Sequence, residues 1–248
     1  MEKLYTEEFD EQLKLMIPHL NNYPELLPHI GKNWENSPIK FLIIAESHYV
    51  DKANGAISEI HANDWYNHSS SDFIWKGKDE PYLNIINTRY NVDFADNVKT
   101  KGYKGPYLHY YNMKNEIKEN FIFLNGVELI YPYLSYYNYF QRPAYVEGKS
   151  IDNNENDNEI AYSTFKSIIG IINPDKIIFV SNLSFKTFLN SRNKYNENHL
   201  FKNNIYSVPH AGSAWWNRKS SNYGKAIGTN TNRTGKQRFV DIITSKIP

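Results

Sequence analysis

The sequence predicts an α/β layer fold, in which helices pack against a largely parallel sheet. Two stretches are apolar throughout, "KFLIIA" at residues 40–45 and "KIIFV" at residues 176–180, as in strands that are covered on both faces. The second stretch follows a helical pattern, "EIAYSTFKSIIGII" at residues 159–172, and a turn, "NPD". Helix, turn and strand in this order are typical of α/β folds.

The other elements follow from the same patterns. Apolar residues at helical spacing predict an N-terminal helix from about Thr6 to Leu20, and a further strand is expected around Leu134 to Phe140. In the last third of the chain we expect a helix at 183–191, a strand that runs into a loop at 203–212, and a closing helix at 235–246.

Two regions lack the apolar periodicity of core helices and strands. Residues 50–107 mix aromatic, polar and turn residues, and we interpret them as a long insertion with short helices. The run "DNNENDNE" at residues 152–159 is interpreted as a polar surface loop.

Composition indicates one globular domain that spans residues 1–248. Hydrophobic residues make up 40% of the chain, and glycine and proline occur at ordinary frequency. The chain has no cysteine, which excludes disulfides, thiolate metal ligands and a cysteine nucleophile. Because no signal-peptide pattern and no membrane-length apolar run is visible, we expect a cytoplasmic protein without a membrane partner. We also expect a monomer.

Charge is balanced overall but unevenly distributed. The net charge is +1, so the chain as a whole gives no case for a polyanionic partner. Residues 215–246, however, contain one acid, Asp241, against seven bases: Arg218, Lys219, Lys225, Arg233, Lys236, Arg238 and Lys246. This segment is either a solvated surface or a surface that contacts phosphates.

Three predicted strands end in polar side chains. These ends are Glu46 to Tyr49, Asn138 to Arg142, and His210 to Ser213. In open α/β sheets, ligands bind in the crevice beyond the carboxyl ends of the strands. We therefore expect the three ends to converge on one site.

In order and local pattern, the three strand ends resemble the motifs of the uracil-DNA glycosylase superfamily. "AESHY", residues 45–49, is similar to the first motif, with Ala45 in place of glycine and His48 in place of proline. "YYNYFQRPA" is similar to the motif in which a base-reading Asn precedes Arg-Pro, and it supplies Asn138. "VPHAGSAWW" keeps His210 of the last motif but has Ala211 where the family has proline.

The resemblance implies a three-layer α/β/α sandwich around a mainly parallel four-stranded sheet. It also implies a monofunctional DNA glycosylase that needs no cofactor or metal. Such an enzyme hydrolyses the N-glycosidic bond of uracil or of another deaminated or damaged base. The implied partner is DNA that contains this base.

The resemblance implies catalytic and base-binding roles for the strand-end residues. Asn138 would read the O4 and N3–H edge of uracil, and His210 would donate a hydrogen bond to the departing base. The water-orienting acid is ambiguous, because alignment on the tyrosine puts Ser47 at its position and leaves Glu46 one residue earlier. Tyr49 would exclude the thymine methyl, and His48 lies in the same base-binding segment without a counterpart in the family.

The segment after His210 would contact the nucleic acid. Ser213 would hold a phosphate, Trp215 or Trp216 would fill the gap left by the flipped nucleotide, and Arg218 and Lys219 would lie near phosphates. We expect one of the two tryptophans to be core. An aromatic side chain is also expected to stack on the base. The sequence does not choose among four candidates: Trp65, Tyr66, Phe73 and Trp75.

Two other function classes remain open. "AESH" weakly resembles the pattern of erythromycin-esterase-like hydrolases, and four nearby residues could provide a metal site: His61, Asp64, His68 and Asp72. Alternatively, the chain is a non-catalytic nucleic-acid-binding protein of the glycosylase fold, a hypothesis that Ser47 at the acid position favours.

Overall fold

The structure is a computed structural model that describes eight parts of the chain. These parts are residues 2–49, 62–69, 86–97, 107–144, 149–197, 199, 204–221 and 232–245. Most of the predicted insertion at 50–107 lies outside them, as do six residues considered above: His61, Asp72, Phe73, Trp75, Lys225 and Lys246.

The predicted α/β class is confirmed, with a mostly parallel sheet. Its strands are β1 (His29–Ile30), β2 (Phe41–Ala45), β3 (Ser135–Asn138), β4 (Lys176–Phe179) and β5 (Ile205–Ser207), in the order β1-β3-β2-β4-β5. Among the described residues the sheet therefore has five strands, whereas the resemblance implied four. The additional strand, β1, pairs antiparallel with β3 and is too short to give a periodic pattern.

The register brings the carboxyl ends of the parallel strands to one edge. Ala45 at the end of β2 is paired with Asn138 at the end of β3, and Ile44 is paired with Phe179 at the end of β4. Phe179 is in turn paired with Ser207, the last residue of β5. Side chains that follow these four strands therefore start from the same edge of the sheet.

Both faces of the central strand are covered by apolar side chains. Leu42 and Ile44 belong to one buried cluster, which includes Phe165 and Phe188. Phe41, Ile43 and Ala45 of the same strand belong to a second cluster, which includes Met113 and Phe239. The alternation explains why β2 reads as a continuous apolar run.

The helices differ from the prediction at several boundaries, of which the end of the N-terminal helix and the start of the helix before β4 have a clear physical cause. They are α1 (Asp10–Met16), α2 (His19–Asn22), α3 (Ala62–Trp65), α4 (Thr88–Asn97), α5 (Leu108–Asn120), α6 (Glu155–Ile172), α7 (Asn182–Lys194) and α8 (Gly235–Thr244). The N-terminal helix predicted to reach Leu20 ends at Met16, because Pro18 lacks an N–H and crowds the preceding turn. Within the described residues, no helix is both long and apolar enough to cross a membrane.

The start of α6 corrects the loop predicted at 152–159. Asn154 accepts a hydrogen bond from the backbone N–H of Asp157, and the Asp157 carboxylate accepts one from the backbone N–H of Asn154. This capping box begins the helix at Glu155, inside the polar run. The acidic and amide residues that looked like a loop are thus the cap and first turn of the helix.

A buried ion pair joins the end of β3 to the start of α6. Arg142 and Asp157 are 2% and 0% exposed, and the Arg142 Nε lies 2.9 Å from Asp157 Oδ1. A second hydrogen bond of 2.9 Å joins Arg142 Nη2 to Asp157 Oδ2, and Nη2 also donates to the Asp152 carbonyl. The Arg-Pro motif of the sequence therefore has a structural partner in α6.

We expect Arg142→Leu to lower the free energy of unfolding by about 3–5 kcal/mol, because it leaves the Asp157 carboxylate buried without its counter-ion. Urea denaturation of the parent and the variant measures the difference. Arg233→Leu is the matched control, since Arg233 pairs with Asp241 at a site where both side chains are about one third exposed. We expect the control to lose about 1 kcal/mol or less. Equal small losses in both variants would contradict the structural role of Arg142.

Candidate functional site

Glu46 follows β2 directly and is held by the ends of two other elements. Its Oε2 accepts a hydrogen bond from the Ser181 hydroxyl at 2.7 Å, and its Oε1 accepts one from the backbone N–H of Ile151 at 3.2 Å. Ser181 follows β4 and also caps α7. The half-buried carboxylate is therefore fixed at the carboxyl edge of the sheet.

His48 and Asn138 form a direct contact at the same edge. The Asn138 Nδ2 lies 2.9 Å from the His48 Nε2, and the Thr88 hydroxyl lies 3.1 Å from the same ring nitrogen. His48, Asn138 and Thr88 are 7%, 6% and 1% exposed. The predicted base-reading amide is thus part of a buried polar cluster, and α4 contributes to it through Thr88.

Ser47 and Tyr49 pack into the protein. Ser47 is buried, and its hydroxyl has no hydrogen-bond partner within the part of the chain that the structure describes. Tyr49 is half-buried, packs against the apolar cluster of Leu42 and Ile44, and pairs with Ala144 in an isolated bridge. Burial, aided by the negative charge of Glu46, raises the pKa of Tyr49 to about 12, so its hydroxyl stays protonated.

His210 lies three residues beyond β5, and its environment favours the neutral ring. Burial lowers the pKa of His210 below 6.5, and the negative charge of Glu46 opposes the shift without cancelling it. The backbone N–H of Gly212 lies 3.2 Å from His210 Nδ1 and donates to it. In the neutral ring the proton is therefore on Nε2, which makes that atom a hydrogen-bond donor.

His109 is a site residue that sequence reasoning missed. Its ring centroid lies 4.9 Å from that of His210, and its Nε2 lies 3.3 Å from the hydroxyl of Tyr136. Tyr136 precedes Asn138 by two residues on β3, so both side chains leave the same face of the sheet. His109 lies in α5 within a tyrosine-rich stretch, and no motif or strand end marked it.

Helix α5 also supports the loop that carries His210. The Asn112 side chain donates to the Ala211 carbonyl at 2.7 Å. A Cβ atom on Gly212 would lie 3.1 Å from the His210 ring and 3.8 Å from His109 Cβ. The small residue at 212 therefore lets the loop approach both histidines closely.

The structure separates the two tryptophans that follow this loop. Trp216 is 2% exposed and packs on Phe239 with ring centroids 5.5 Å apart, whereas Trp215 is 44% exposed. The expectation that one of the pair belongs to the core is confirmed. Of the two alternatives offered for the nucleic-acid face, Trp216 is enclosed by the protein, because its ring fills the apolar cluster around α8.

The basic segment is only partly available to a ligand. Arg218 and Lys219 are exposed, and Ser213 is half-buried. Three of the other bases already contact protein groups: Arg233 pairs with Asp241, Lys236 pairs with Glu116, and Arg238 donates to the Ser207 carbonyl. These three side chains are therefore already engaged by other groups of the protein.

The structure also bears on the candidate stacking aromatics and on the candidate metal ligands. Trp65 is buried and stacked on Tyr23, with ring centroids 4.5 Å apart, so it belongs to the core. The Tyr66 hydroxyl donates a hydrogen bond to Asp157 Oδ1 at 3.2 Å. In the described ranges, which include Asp64 and His68, no group of three or more His, Asp or Glu side chains is arranged to hold a metal ion.

A polar pocket lies elsewhere on the surface. It has a volume of about 270 Å³ and lies between the start of α6 and the end of α7, with Asn154, Asn158, Asn190 and Lys194 among its lining residues. None of the strand-end residues lines it. The candidate site is therefore defined by contacts at the sheet edge and not by this pocket.

We expect His210 to titrate below pH 6.5, because its burial disfavours the imidazolium ion. Glu46→Gln should lower the pKa further, since it removes the negative charge that stabilises the protonated ring. Histidine-selective NMR titration measures both values. Glu155→Gln, which changes an exposed carboxylate paired with Lys194, is the matched control and should leave His210 unchanged. A pKa at or above 6.5, or no response to Glu46→Gln, would contradict this electrostatic arrangement.

Comparison of the chain with protein-family models, with curated proteins and with solved structures finds no match. The likeness to the uracil-DNA glycosylase superfamily therefore rests on the three strand-end motifs alone.

Proposed function

We propose that the protein is a DNA base-excision glycosylase, which hydrolyses the N-glycosidic bond of uracil or of another deaminated or damaged base. The observation that carries the proposal is the position of His210, a half-buried imidazole whose Nδ1 accepts from the Gly212 N–H, which leaves Nε2 as the donor of the neutral ring. Desolvation lowers the pKa of His210 and so favours that neutral ring. When the bond between the sugar C1′ and the base nitrogen breaks, the electron pair leaves with the base and negative charge develops on its carbonyl oxygen. A fixed donor at that oxygen stabilises the transition state more than the ground state.

Asn138 is the proposed contact to the base edge. A carboxamide offers donors and an acceptor side by side, which matches a base carbonyl next to a ring N–H. Asn138 is buried at the end of β3, where an unmatched partner would leave polar groups without hydrogen bonds. This arrangement supports selection of the base by Asn138, while His210 acts on the departing charge.

Glu46 is the proposed carboxylate that assists attack at the sugar. Water adds to C1′ as the base departs, and a nearby carboxylate can orient that water or stabilise the positive charge on the sugar. Two protein donors hold Glu46, and its charge acts on His210. Ser47 is the weaker candidate for this role, because its hydroxyl is buried and cannot act as a base at neutral pH.

DNA is the proposed partner, bound by the segment after His210. Trp215 is exposed five residues beyond His210, and Arg218 and Lys219, three and four residues further on, are also exposed. An aromatic ring followed by two cations suits insertion at a flipped nucleotide with contacts to adjacent phosphates. We further propose a three-layer α/β/α arrangement, which apolar packing on both faces of β2 supports. A monomeric state and a cytoplasmic location are also proposed.

The test is incubation with oligonucleotides that contain uracil, hypoxanthine or an alkylated base, followed by alkali to cut abasic sites. We expect the parent to yield cut strands and His210→Ala to lower the rate about 100- to 1000-fold with nearly unchanged binding, because the lost donor acts in the transition state. Asn138→Ala should relax or abolish the choice of base. His199→Ala, which changes an exposed histidine, is the control and should behave like the parent.

Three outcomes would redirect the assignment. Parent-like rates in both His210→Ala and Asn138→Ala would remove the proposed roles. Tight binding of the parent to a uracil or abasic oligonucleotide without cleavage would indicate the non-catalytic nucleic-acid-binding protein. Inactivity on every oligonucleotide, together with chelator-sensitive ester hydrolysis, would favour the Glu/His hydrolase.

A further inference from the structure

We propose that His48 fixes the amide orientation of Asn138 and thereby restricts the site to bases that carry a carbonyl beside a ring N–H. The inference rests on the proposed function, because it concerns the base that the same site accepts. It changes the role of His48 from a direct base contact to a positioning residue that acts through Asn138.

The contact between the two side chains determines which atoms donate. An amide nitrogen only donates, so the 2.9 Å contact requires His48 Nε2 to accept from Asn138 Nδ2. The neutral His48 ring then carries its proton on Nδ1. Thr88 Oγ1 lies 3.1 Å from the same Nε2 and holds the ring from the side of α4.

Burial makes the alternative amide orientation unfavourable. If the Asn138 amide turned over while the ring proton stayed on His48 Nδ1, Oδ1 would face the lone pair of Nε2, and a buried hydrogen bond would be replaced by two opposed acceptors. The amide orientation and the His48 tautomer are therefore coupled. Losing a buried hydrogen bond and leaving its groups unpaired changes an equilibrium by about 5- to 150-fold. The amide nitrogen therefore stays on the His48 side when Nδ1 carries the ring proton.

The backbone of Asn138 is fixed independently. Asn138 is paired with Ala45 in the sheet, and its carbonyl accepts a 2.6 Å hydrogen bond from Gln141 Nε2. With the backbone fixed, the side-chain torsions are the remaining freedom of this residue. The 2.9 Å contact with His48 restricts them.

The fixed amide presents one N–H and the adjacent Oδ1 to a ligand. This pair complements the carbonyl and N–H of uracil, thymine, hypoxanthine or guanine. Cytosine and adenine present an amino group beside a ring acceptor, the reverse order, and would leave the buried amide unpaired. His48 thereby sets the substrate class as lactam bases, and other parts of the site would choose among them.

The test measures binding, so that it does not depend on cleavage. The probes are two oligonucleotides that are identical except for 2′-fluoro-2′-deoxyuridine or 2′-fluoro-2′-deoxycytidine at one position. We expect the parent to bind the uracil form about 5- to 150-fold more tightly. His48→Phe keeps a planar ring but no acceptor, so the ratio should fall towards one. His48→Gln provides a side-chain oxygen acceptor and should retain most of the ratio.

The NMR signals of the His48 ring nitrogens give a second measurement on the unmodified protein. We expect Nε2 to resonate as the unprotonated nitrogen and Nδ1 as the protonated one. This result does not require that any variant folds.

Several results would overturn the inference: equal affinity of the parent for both probes, absence of binding to either probe, an unchanged ratio in folded His48→Phe, or a proton on His48 Nε2. A parent that discriminates between the probes but cleaves no base would refute the glycosylase and leave the reading of the base edge in place.

Discussion

The buried pair of Arg142 and Asp157 is the interaction on which the site geometry depends. Besides binding Arg142, the Asp157 carboxylate accepts hydrogen bonds from the Asn154 backbone and from the Tyr66 hydroxyl. The pair therefore sets where the loop after β3 meets the first turn of α6. The residues before that turn include Ile151, whose N–H holds Glu46. A buried ion pair is acceptable because these additional hydrogen bonds offset part of its desolvation cost.

Two opposing effects set the pKa of His210, and desolvation is the larger one. Glu46 favours the imidazolium form of His210, yet desolvation is the larger effect and keeps the pKa of His210 low. A neutral donor beside a carboxylate gains little in the ground state of an uncharged base. It becomes favourable when the base departs with negative charge, which is the property required of a group that lowers the barrier.

The sequence predicted those parts that depend on local patterns. Continuous apolar runs identified β2 and β4, since a strand covered on both faces has no polar alternation. Topology then placed the residues after four parallel strands at one edge, as expected for an α/β sheet. Glu46, Asn138 and His210 were selected because they follow predicted strands and because their segments resemble the three glycosylase motifs.

The rest depended on tertiary contacts that leave no local signal. Strand β1 exists because two residues pair with β3, and His109 enters the site because α5 packs beside the loop of His210. The basic segment looked uniform in the sequence, but partners distant in the chain, such as Glu116 for Lys236, occupy several of its charges. Trp215 and Trp216 are neighbours in sequence, and only the packing around α8 distinguishes them.

The central claim is that the strand ends form one site that holds a lactam base between Asn138 and His210. A crystal structure of the protein with a DNA strand that contains 2′-fluoro-2′-deoxyuridine tests it most directly. The account predicts that Asn138 Oδ1 accepts from the uracil N3–H, that Asn138 Nδ2 donates to one uracil carbonyl, and that His210 Nε2 donates to the other. A uracil bound away from these side chains, for instance in the polar pocket between α6 and α7, would contradict the account.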